Sequence, residues 1–269
     1  MKKLDHLKDI IHNYDLFIID LWGVVHNGVE PYKEAMNAIE ELHNNKKKYY
    51  FLSNAPRPVS DVKDFLKNKM NIKEKFLKNI VTSGEAAIIS IKSFHYGKLF
   101  FHLGPERDKK IYNGLENLKT DIKKCDYILC TGLYDNAMDD LEFYKKLLVN
   151  SLNKKMICTN PDLIVDRGNT QEYCAGTIAK IFENMGGKVI YFGKPYKEIY
   201  DLIFKDKTKS LIIGDNLRTD IKGANSIGQD SLFILDGIHK KEIENMKGIS
   251  NCLKKYNVNT TFVQNKLNW

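Results

Sequence analysis

The chain has 269 residues, 43% hydrophobic and 28% charged, a globular composition that can bury a core without disulfide or metal staples. The net charge is +8, but only four of the 42 basic residues are arginine, which nucleic-acid-binding surfaces prefer, so we expect no nucleic-acid partner. No signal peptide opens the chain and no run approaches the roughly 20 apolar residues that span a bilayer, so we expect no membrane partner. The five cysteines, mostly in apolar runs, indicate free thiols and a cytoplasmic location.

Short apolar runs of about five or six residues recur along the chain, and such runs are typical of strands buried on both faces. The predicted strands are Leu16–Asp20, Tyr49–Ser53, Lys188–Gly193, Ser210–Asp215 and Ser231–Leu235. Helical apolar spacing marks Pro31–Asn44, Val59–Lys69 and Lys197–Phe204. Strands that alternate with helices predict an α/β fold with a Rossmann-like three-layer core around a parallel sheet.

A middle segment separates the predicted core strands. Its apolar runs are Leu99–Leu103, Tyr127–Cys130 and Met156–Cys158, and they alternate with helical patterns at 109–119, 137–150 and 175–185. We therefore expect a second α/β domain at 97–187, inserted into a core that comprises residues 1–96 and 188–269. Residues 240–269 carry little pattern, and their polar end predicts a frayed segment.

Polar side chains cluster where the predicted core strands stop. Asp20 and Asp215 each end a strand. Ser53 and Asn54 end another, and Lys194 follows a fourth. The carboxyl ends of parallel strands share one edge of an open sheet, and ligands bind at that edge. The sequence therefore predicts one site where carboxylates, a hydroxyl and a lysine meet.

These groups suit phosphoryl chemistry, although each also has an ordinary structural interpretation. A carboxylate such as Asp20 can attack phosphorus and form an aspartyl-phosphate, or it can cap a turn. The Ser53 hydroxyl can hold a phosphoryl oxygen or belong to a Ser/Asn turn. Lys194 offers a fixed positive charge, whereas most lysines are surface residues. Asp215 and Asp220 bracket a strand-to-helix turn, and their hard oxygen ligands suit Mg²⁺.

In combination, these motifs resemble the haloacid dehalogenase (HAD) superfamily of hydrolases. The order of the site residues is similar to the four motifs of that superfamily, from about Asp15 to about His239. Four strings resemble its class IIA branch of NagD-like and p-nitrophenylphosphatase-like enzymes: Leu52–Asn54, Thr159–Asp162, Gly193–Pro195 and Gly214–Asp220. The resemblance implies a Mg²⁺-dependent phosphatase with an α/β cap of the C2 type, acting on a small phosphorylated metabolite.

The resemblance also implies roles for matching positions. Asp20 would be the nucleophile, and Lys194 would stabilise charge on it and on the phosphoryl oxygens. Ser53 would bind the phosphoryl group, with Asn54 beside it. The implied metal ligands are Asp20, the backbone carbonyl of Trp22, Asp215 and, directly or through water, Asp220. The implied substrate-selecting cap residues are Tyr134, Asp135, Asn160, Asp162 and Arg167. Exposed cap surfaces often pair in this branch, so a homodimer is a further expectation.

The first motif departs from the superfamily pattern at Trp22, which replaces the second aspartate of the usual Asp-x-Asp. Residues two apart in a strand face the same way, so Trp22 is expected to approach the catalytic edge. The missing aspartate is the family's general acid and base, a function typically worth about 10²–10⁴-fold in rate. His26 is the nearest titratable candidate to replace it, or else a partly exposed loop histidine. A branch of class IIA proteins resembles this chain in carrying tryptophan here.

Three function classes are consistent with these residues. The leading hypothesis is hydrolysis of a small phosphate monoester, of the sugar phosphate or nucleotide class, through an aspartyl-phosphate on Asp20 and weakened by Trp22. The alternative is a non-catalytic or regulatory protein that binds a phospho-ligand on the same scaffold. A carbon–halogen or carbon–phosphorus hydrolase is a third interpretation, because other HAD enzymes cleave such bonds without the second aspartate. The type of cap argues against this interpretation.

Overall fold

The computed structural model describes residues 1–168, 170–204, 208–246 and 248–269. The strands are β1 (Lys2–Lys3), β2 (Leu16–Ile19), β3 (Lys48–Ser53), β4 (Ile80–Thr82), β5 (Phe100–Leu103), β6 (Tyr127–Cys130), β7 (Lys155–Cys158), β8 (Ile164–Arg167), β9 (Thr170–Tyr173), β10 (Lys188–Tyr191), β11 (Ser210–Gly214), β12 (Asp230–Ile234) and β13 (Phe262–Gln264). The helices are α1 (Lys33–Asn44), α2 (Val59–Asn68), α3 (Ser83–Lys92), α4 (Leu141–Leu148), α5 (Ala175–Asn184), α6 (Lys197–Asp201), α7 (Lys222–Ser226), α8 (Lys240–Asn245) and α9 (Ile249–Tyr256). None of the helices described is long and apolar enough to cross a bilayer.

Seven parallel strands form the larger sheet, in the order β1-β13-β12-β11-β2-β3-β4. Strand β2, which lies between β11 and β3, is buried along its whole length, and successive side chains point to opposite faces. Phe17 and Ile19 pack with α1 and α2 on one face, while Leu16 and Ile18 pack with α6 and α7 on the other. Helices therefore cover both faces of a parallel sheet, and the predicted three-layer, Rossmann-like core is confirmed.

A second sheet lies in the middle of the chain, with parallel strands in the order β10-β7-β6-β5. Helices α4 and α5 pack on it through Tyr144, Leu148, Ile178 and Phe182. Between β7 and α5 the chain forms an antiparallel hairpin, β8–β9, which pairs Ile164 with Tyr173 at its open end. The additional α/β unit predicted from the sequence is therefore present, together with a hairpin that the sequence pattern did not predict.

The prediction that Lys188–Gly193 belongs to the core sheet is wrong, because β10 pairs with β7 in the second sheet. An apolar run indicates a strand but does not specify the strand beside it. We propose that the inserted domain extends to Tyr191 rather than ending at residue 187.

Two other predicted segments differ from the structure. The pattern at 109–119 forms two 3-10 segments, Glu106–Tyr112 and Glu116–Leu118, instead of an α-helix. Gly114 lies between them with a φ of +83°, a backbone conformation incompatible with a continuous helix. The end of the chain is not frayed, because β13 pairs with both β12 and β1 and Leu267 is buried.

Candidate active site

Three buried aspartates meet at the carboxyl edge of the core sheet. Asp20 directly follows β2, and Asp215 directly follows the neighbouring strand β11. Asp220 lies on a π-helical turn, Leu217–Ile221, that leads from this edge into α7. One carboxylate oxygen from each aspartate lies within 4.8 Å of the other two, as expected for groups at adjacent strand ends.

Lys194 is the cation of this cluster. Its Nζ donates hydrogen bonds to Asp20 Oδ1 and, at 2.7 Å, to Asp220 Oδ1. The Asn54 side chain holds the lysine backbone from both sides, since Asn54 Oδ1 accepts from Lys194 N at 2.8 Å and Asn54 Nδ2 donates to Lys194 O at 3.2 Å. The sequence predicts Asn54 beside phosphate but does not reveal its hydrogen bonds to the Lys194 backbone, because the residue type alone does not indicate what an amide side chain bonds to.

The electrostatics of the cluster show an excess of negative charge. Burial alone would lower the pKa of Lys194, but Asp20 and Asp220 outweigh burial and hold that pKa above its usual value. Burial raises the pKa of Asp20 despite the nearby lysine. Burial, followed by repulsion from Asp220, raises the pKa of Asp215 to about 8. One lysine therefore faces three carboxylates, and a second cation would relieve the remaining repulsion.

The surroundings of Asp215 fit a metal ligand. Its Oδ2 accepts a hydrogen bond from Ile238 N at 2.8 Å. The backbone at Gly23 and Gly237 comes so close that a Cβ at either position would lie 2.1 Å from Asp215 Oδ2. Glycine at these two positions leaves room for the carboxylate. Clustered, hard carboxylate oxygens are the donors that Mg²⁺ prefers, so the residues present fit this ion.

A cavity of about 290 Å³ opens over this edge and is lined by both the core and the inserted unit. Ser53 lines it beside Asp20 and Asp215, and its Oγ accepts a hydrogen bond from Ala55 N at 3.2 Å. The hydroxyl thus lies at the same edge as the aspartates. The structure therefore brings together Asp20, Ser53, Asn54, Lys194, Asp215 and Asp220, as the sequence predicts.

Trp22 joins the loop after Asp20 to the hairpin β8–β9. Its indole Nε1 donates a hydrogen bond to Asp166 O at 2.7 Å. A second hydrogen bond runs alongside, from Gly168 N to Asn27 O at 3.1 Å. The Arg167 guanidinium carbon lies 5.8 Å from the centre of the indole ring. Trp22 does reach the catalytic edge, as expected, but its polar atom faces the hairpin.

His26 packs its ring edge-on against Trp22, with ring centres 5.2 Å apart. It is only 2% exposed, so the interpretation as a partly exposed loop histidine is wrong. Its Nδ1 accepts a hydrogen bond from Gly28 N at 3.0 Å, and burial lowers its pKa to about 4. His26 is therefore uncharged at neutral pH, where it is a poor proton donor.

The predicted cap residues divide into two groups. Asn160, Asp162 and Arg167 line the cavity, whereas Tyr134 and Asp135 lie outside the lining formed by the described residues. Asp162 reaches the core, since its Oδ1 accepts a hydrogen bond from Asn216 Nδ2 at 3.2 Å, and burial raises its pKa to about 6.

Arg57 and Arg107 also line the cavity, and sequence reasoning missed them. Arg57 Nε bonds to Asp108 Oδ1 at 2.7 Å, linking the core loop to the inserted unit. Arg107 pairs with Asp135. With Arg167, they make up three of the chain's four arginines, and all three line one cavity. Because arginine is scarce in this chain, its positions could have been used to predict these cavity residues.

Comparison with known proteins decides the family. Residues 17–117 match a family model described as haloacid dehalogenase-like hydrolase, and residues 191–263 match a second HAD hydrolase-like model. A solved hydrolase of the haloacid dehalogenase-like family from Brucella suis is 30% identical, with a TM-score of 0.86 over 98% of this chain and 99% of that one. The chain belongs to the haloacid dehalogenase-like hydrolase family.

Two further relatives extend the comparison of this HAD hydrolase. An acid sugar phosphatase from Staphylococcus haemolyticus is 28% identical over 84% of this chain and 87% of that protein. A p-nitrophenyl phosphatase from Archaeoglobus fulgidus shares the fold, with a TM-score of 0.71 and 20% identity over 94% of this chain and 97% of the other. The predicted membership of the haloacid dehalogenase superfamily is confirmed.

Proposed function

We propose that this HAD hydrolase cleaves small phosphate monoesters through an aspartyl-phosphate on Asp20. The observation that carries the proposal is the position of Asp20, which ends a central strand, contacts Lys194 and shares the sheet edge with two further carboxylates. A carboxylate with a fixed cation beside it can attack phosphorus while the charge on the phosphoryl oxygens is offset. The relatives named as phosphatases support a substrate of this kind.

The residues of the edge have separate tasks in this reaction. Asp20 forms the bond to phosphorus. Lys194, held by the Asn54 amide, offsets charge on Asp20 and on the phosphoryl oxygens. The Ser53 hydroxyl donates to a phosphoryl oxygen. We assign Asn54 to holding Lys194 beside the nucleophile. This assignment replaces the predicted contact between the Asn54 side chain and phosphate.

The proposed Mg²⁺ ligands are Asp20, Asp215, Asp220 and the backbone carbonyl of Trp22. When bound there, the ion supplies positive charge to the carboxylates and to the substrate phosphate. Asp215 is kept in place by the Ile238 amide and the adjacent glycines, so this ligand is positioned before any ion arrives.

The cavity wall opposite the edge selects the substrate in this proposal. Asn160, Asp162 and Arg167 are the predicted cap residues that reach the cavity. Asp135 would act indirectly, by holding Arg107. A small phosphorylated metabolite fits a cavity of about 290 Å³. The homodimer and the cytoplasmic location stay predictions.

The test is phosphate release from a broad panel of phosphate esters, with Mg²⁺ and with chelator, for the wild type and Asp20→Asn. We expect Mg²⁺-dependent turnover that falls by more than about 10⁴-fold in Asp20→Asn, because removal of a covalent nucleophile in other hydrolases costs about 10⁶-fold. Asp9→Asn, at an exposed position, is the matched control and should leave turnover unchanged. Tight binding of a phosphate analogue without turnover of any ester would favour the phospho-ligand-binding alternative.

A further inference from the structure

Trp22 takes the place of the aspartate that the resemblance implies as general acid, and this bears on the leaving group. We propose that the substrates of this enzyme are phosphate compounds whose leaving group departs as a stable anion without receiving a proton, namely acyl, enol and aryl phosphates and phosphoanhydrides. The inference rests on the proposed function, since it concerns the bond that breaks when Asp20 attacks phosphorus.

The indole ring is held in place on several sides. Its N–H is bonded to the Asp166 carbonyl at 2.7 Å. Gly28, with a φ of +83°, comes so close that a Cβ there would lie 2.4 Å from the ring atom Cζ2 of Trp22. His26 packs edge-on against the ring, and Arg167 lies 5.8 Å from its centre. A side chain with no acidic proton therefore lines the cavity two residues after the nucleophile, and its contacts oppose a rotation that would admit another group.

The other carboxyl groups that line the cavity are engaged by partners. Within the described residues, and apart from Asp20 and Asp215, each is bonded to or ion-paired with an amide or a cation. These pairs are Asp108–Arg57 at 2.7 Å, Asp162–Asn216 at 3.2 Å, Asp166–Gln171 at 3.0 Å, Glu172–Arg167 at 3.7 Å and Asp236–Lys240 at 3.1 Å. These contacts hold the carboxyl groups in place, so none of these groups is free to turn toward the leaving oxygen. His26 accepts a hydrogen bond at Nδ1 from Gly28, so its one ring proton lies on Nε2, and the N–H of an uncharged imidazole is a poor proton donor.

The consequence follows from the electron balance of the reaction. An Asp20 oxygen bonds to phosphorus while the bond from phosphorus to the leaving oxygen breaks, and the electron pair stays on the leaving oxygen. Without a proton donor, that oxygen departs as an anion. Water then attacks phosphorus, the bond to Asp20 breaks, and phosphate and one proton pass to solvent. Carboxylate, enolate, phenolate and phosphate anions are stable enough to leave in this way, whereas the alkoxide of a sugar hydroxyl is not.

The experiment is a leaving-group series. We would measure kcat/KM with Mg²⁺ for aryl phosphates from dinitrophenyl to phenyl phosphate, and for acetyl phosphate and a hexose 6-phosphate. This parameter reports the step that expels the leaving group when that step is irreversible. For the wild type we expect a fall of at least about 100-fold across the aryl series, the lower bound of what a general acid contributes.

Two matched variants separate proton donation from packing. Trp22→Asp and Trp22→Asn both remove the ring and the hydrogen bond to Asp166, but only the aspartate can donate a proton. We expect Trp22→Asp to flatten the series and to raise turnover of phenyl phosphate at least about tenfold over Trp22→Asn, which should keep the steep dependence.

Turnover of the wild type that is independent of the leaving group would overturn the inference, and a steep series in Asp162→Asn would then identify Asp162 as the acid. If neither Trp22 variant folds, the wild-type series alone decides between these outcomes. Failure of the proposed function looks different: no phosphate compound in the series would show turnover that depends on Asp20, and the inference would fall with it.

Discussion

Two neighbouring regions of this molecule are held together by different forces. At the catalytic edge, Lys194 joins Asp20 and Asp220 through buried charges. A short distance away, the docking contact between Trp22 and the hairpin β8–β9 uses an indole N–H, a backbone carbonyl and a glycine that leaves room for the ring. Buried charges hold the residues that would react, while the hydrogen bond and the packing of an uncharged ring join Trp22 to the hairpin. We therefore expect the contact between Trp22 and the hairpin to break at a smaller energetic cost than the buried ion pairs.

The largest effect should come from Lys194→Met. This substitution leaves Asp20 and Asp220 buried without their cation, and breaking a buried ion pair typically costs about 3–5 kcal/mol. We expect a loss of that size in the free energy of unfolding, measured by urea denaturation at pH 7 in the presence of chelator. Lys197→Met is the matched control, because Lys197 forms an exposed ion pair with Asp201 that should contribute less than about 0.5 kcal/mol.

The pH dependence of this loss has a definite sign. The pKa of Asp20 is already raised by burial, with Lys194 opposing the increase, and it should rise further in the variant. A carboxyl whose pKa is higher in the folded than in the unfolded state stabilises the fold at low pH and loses that contribution as pH rises. The deficit of Lys194→Met should therefore grow from pH 5 to pH 8. A deficit that is constant over this range would mean that solvent screens the charges.

The two regions also differ in how much the sequence reveals. Asp20 and Asp215 were predictable because a polar residue after an apolar run lands at the sheet edge, and that rule is local in sequence. Lys194 was predicted by the same rule, but the strand before it, β10, belongs to the second sheet, so the rule found the right residue for the wrong reason. The docking contact between Trp22 and the hairpin was not predictable from the sequence, because Asp166 takes part through its backbone carbonyl, a group that every residue has. The placement of β10 failed for a similar reason, since strand pairing depends on tertiary packing rather than on the apolar pattern.

An intermediate effect is expected for Gly28→Ala, which tests the packing of the docking contact. Gly28 and Gly114 have the same φ of +83°, but a Cβ would meet the Trp22 ring at 2.4 Å in the first case and nothing within 4 Å in the second. Both variants should lose about 1–2 kcal/mol of unfolding free energy for the left-handed backbone. Gly28→Ala should lose about 1–3 kcal/mol more, from overpacking. Equal losses in urea denaturation would show that the ring yields freely and that Gly28 does not constrain it.

The smallest effect is expected for Trp22→Phe, which keeps an aromatic ring and removes one hydrogen bond. A hydrogen bond of this kind contributes about 0.5–1.5 kcal/mol, so global unfolding should change little. Opening of the hairpin is a more sensitive measure, because proteolysis follows the population of the open form when opening is fast, and 1 kcal/mol is a factor of about five. Arg167 is exposed on the hairpin and provides the trypsin site. We expect cleavage after Arg167 to be about fivefold faster in Trp22→Phe.

The chain has one other tryptophan, which supplies the control for that experiment. Trp269→Phe makes the same change far along the chain and should leave cleavage after Arg167 unchanged, while Trp22 becomes the sole source of indole fluorescence. In that background, emission from Trp22 should shift to the red when the hairpin opens, because the indole N–H then bonds to water. Unchanged cleavage in Trp22→Phe would assign the docking of the hairpin to the Gly168–Asn27 backbone bond and to Arg167. Trp22 would then line the cavity without holding the hairpin in place. The absence of a proton donor at position 22 would not be affected.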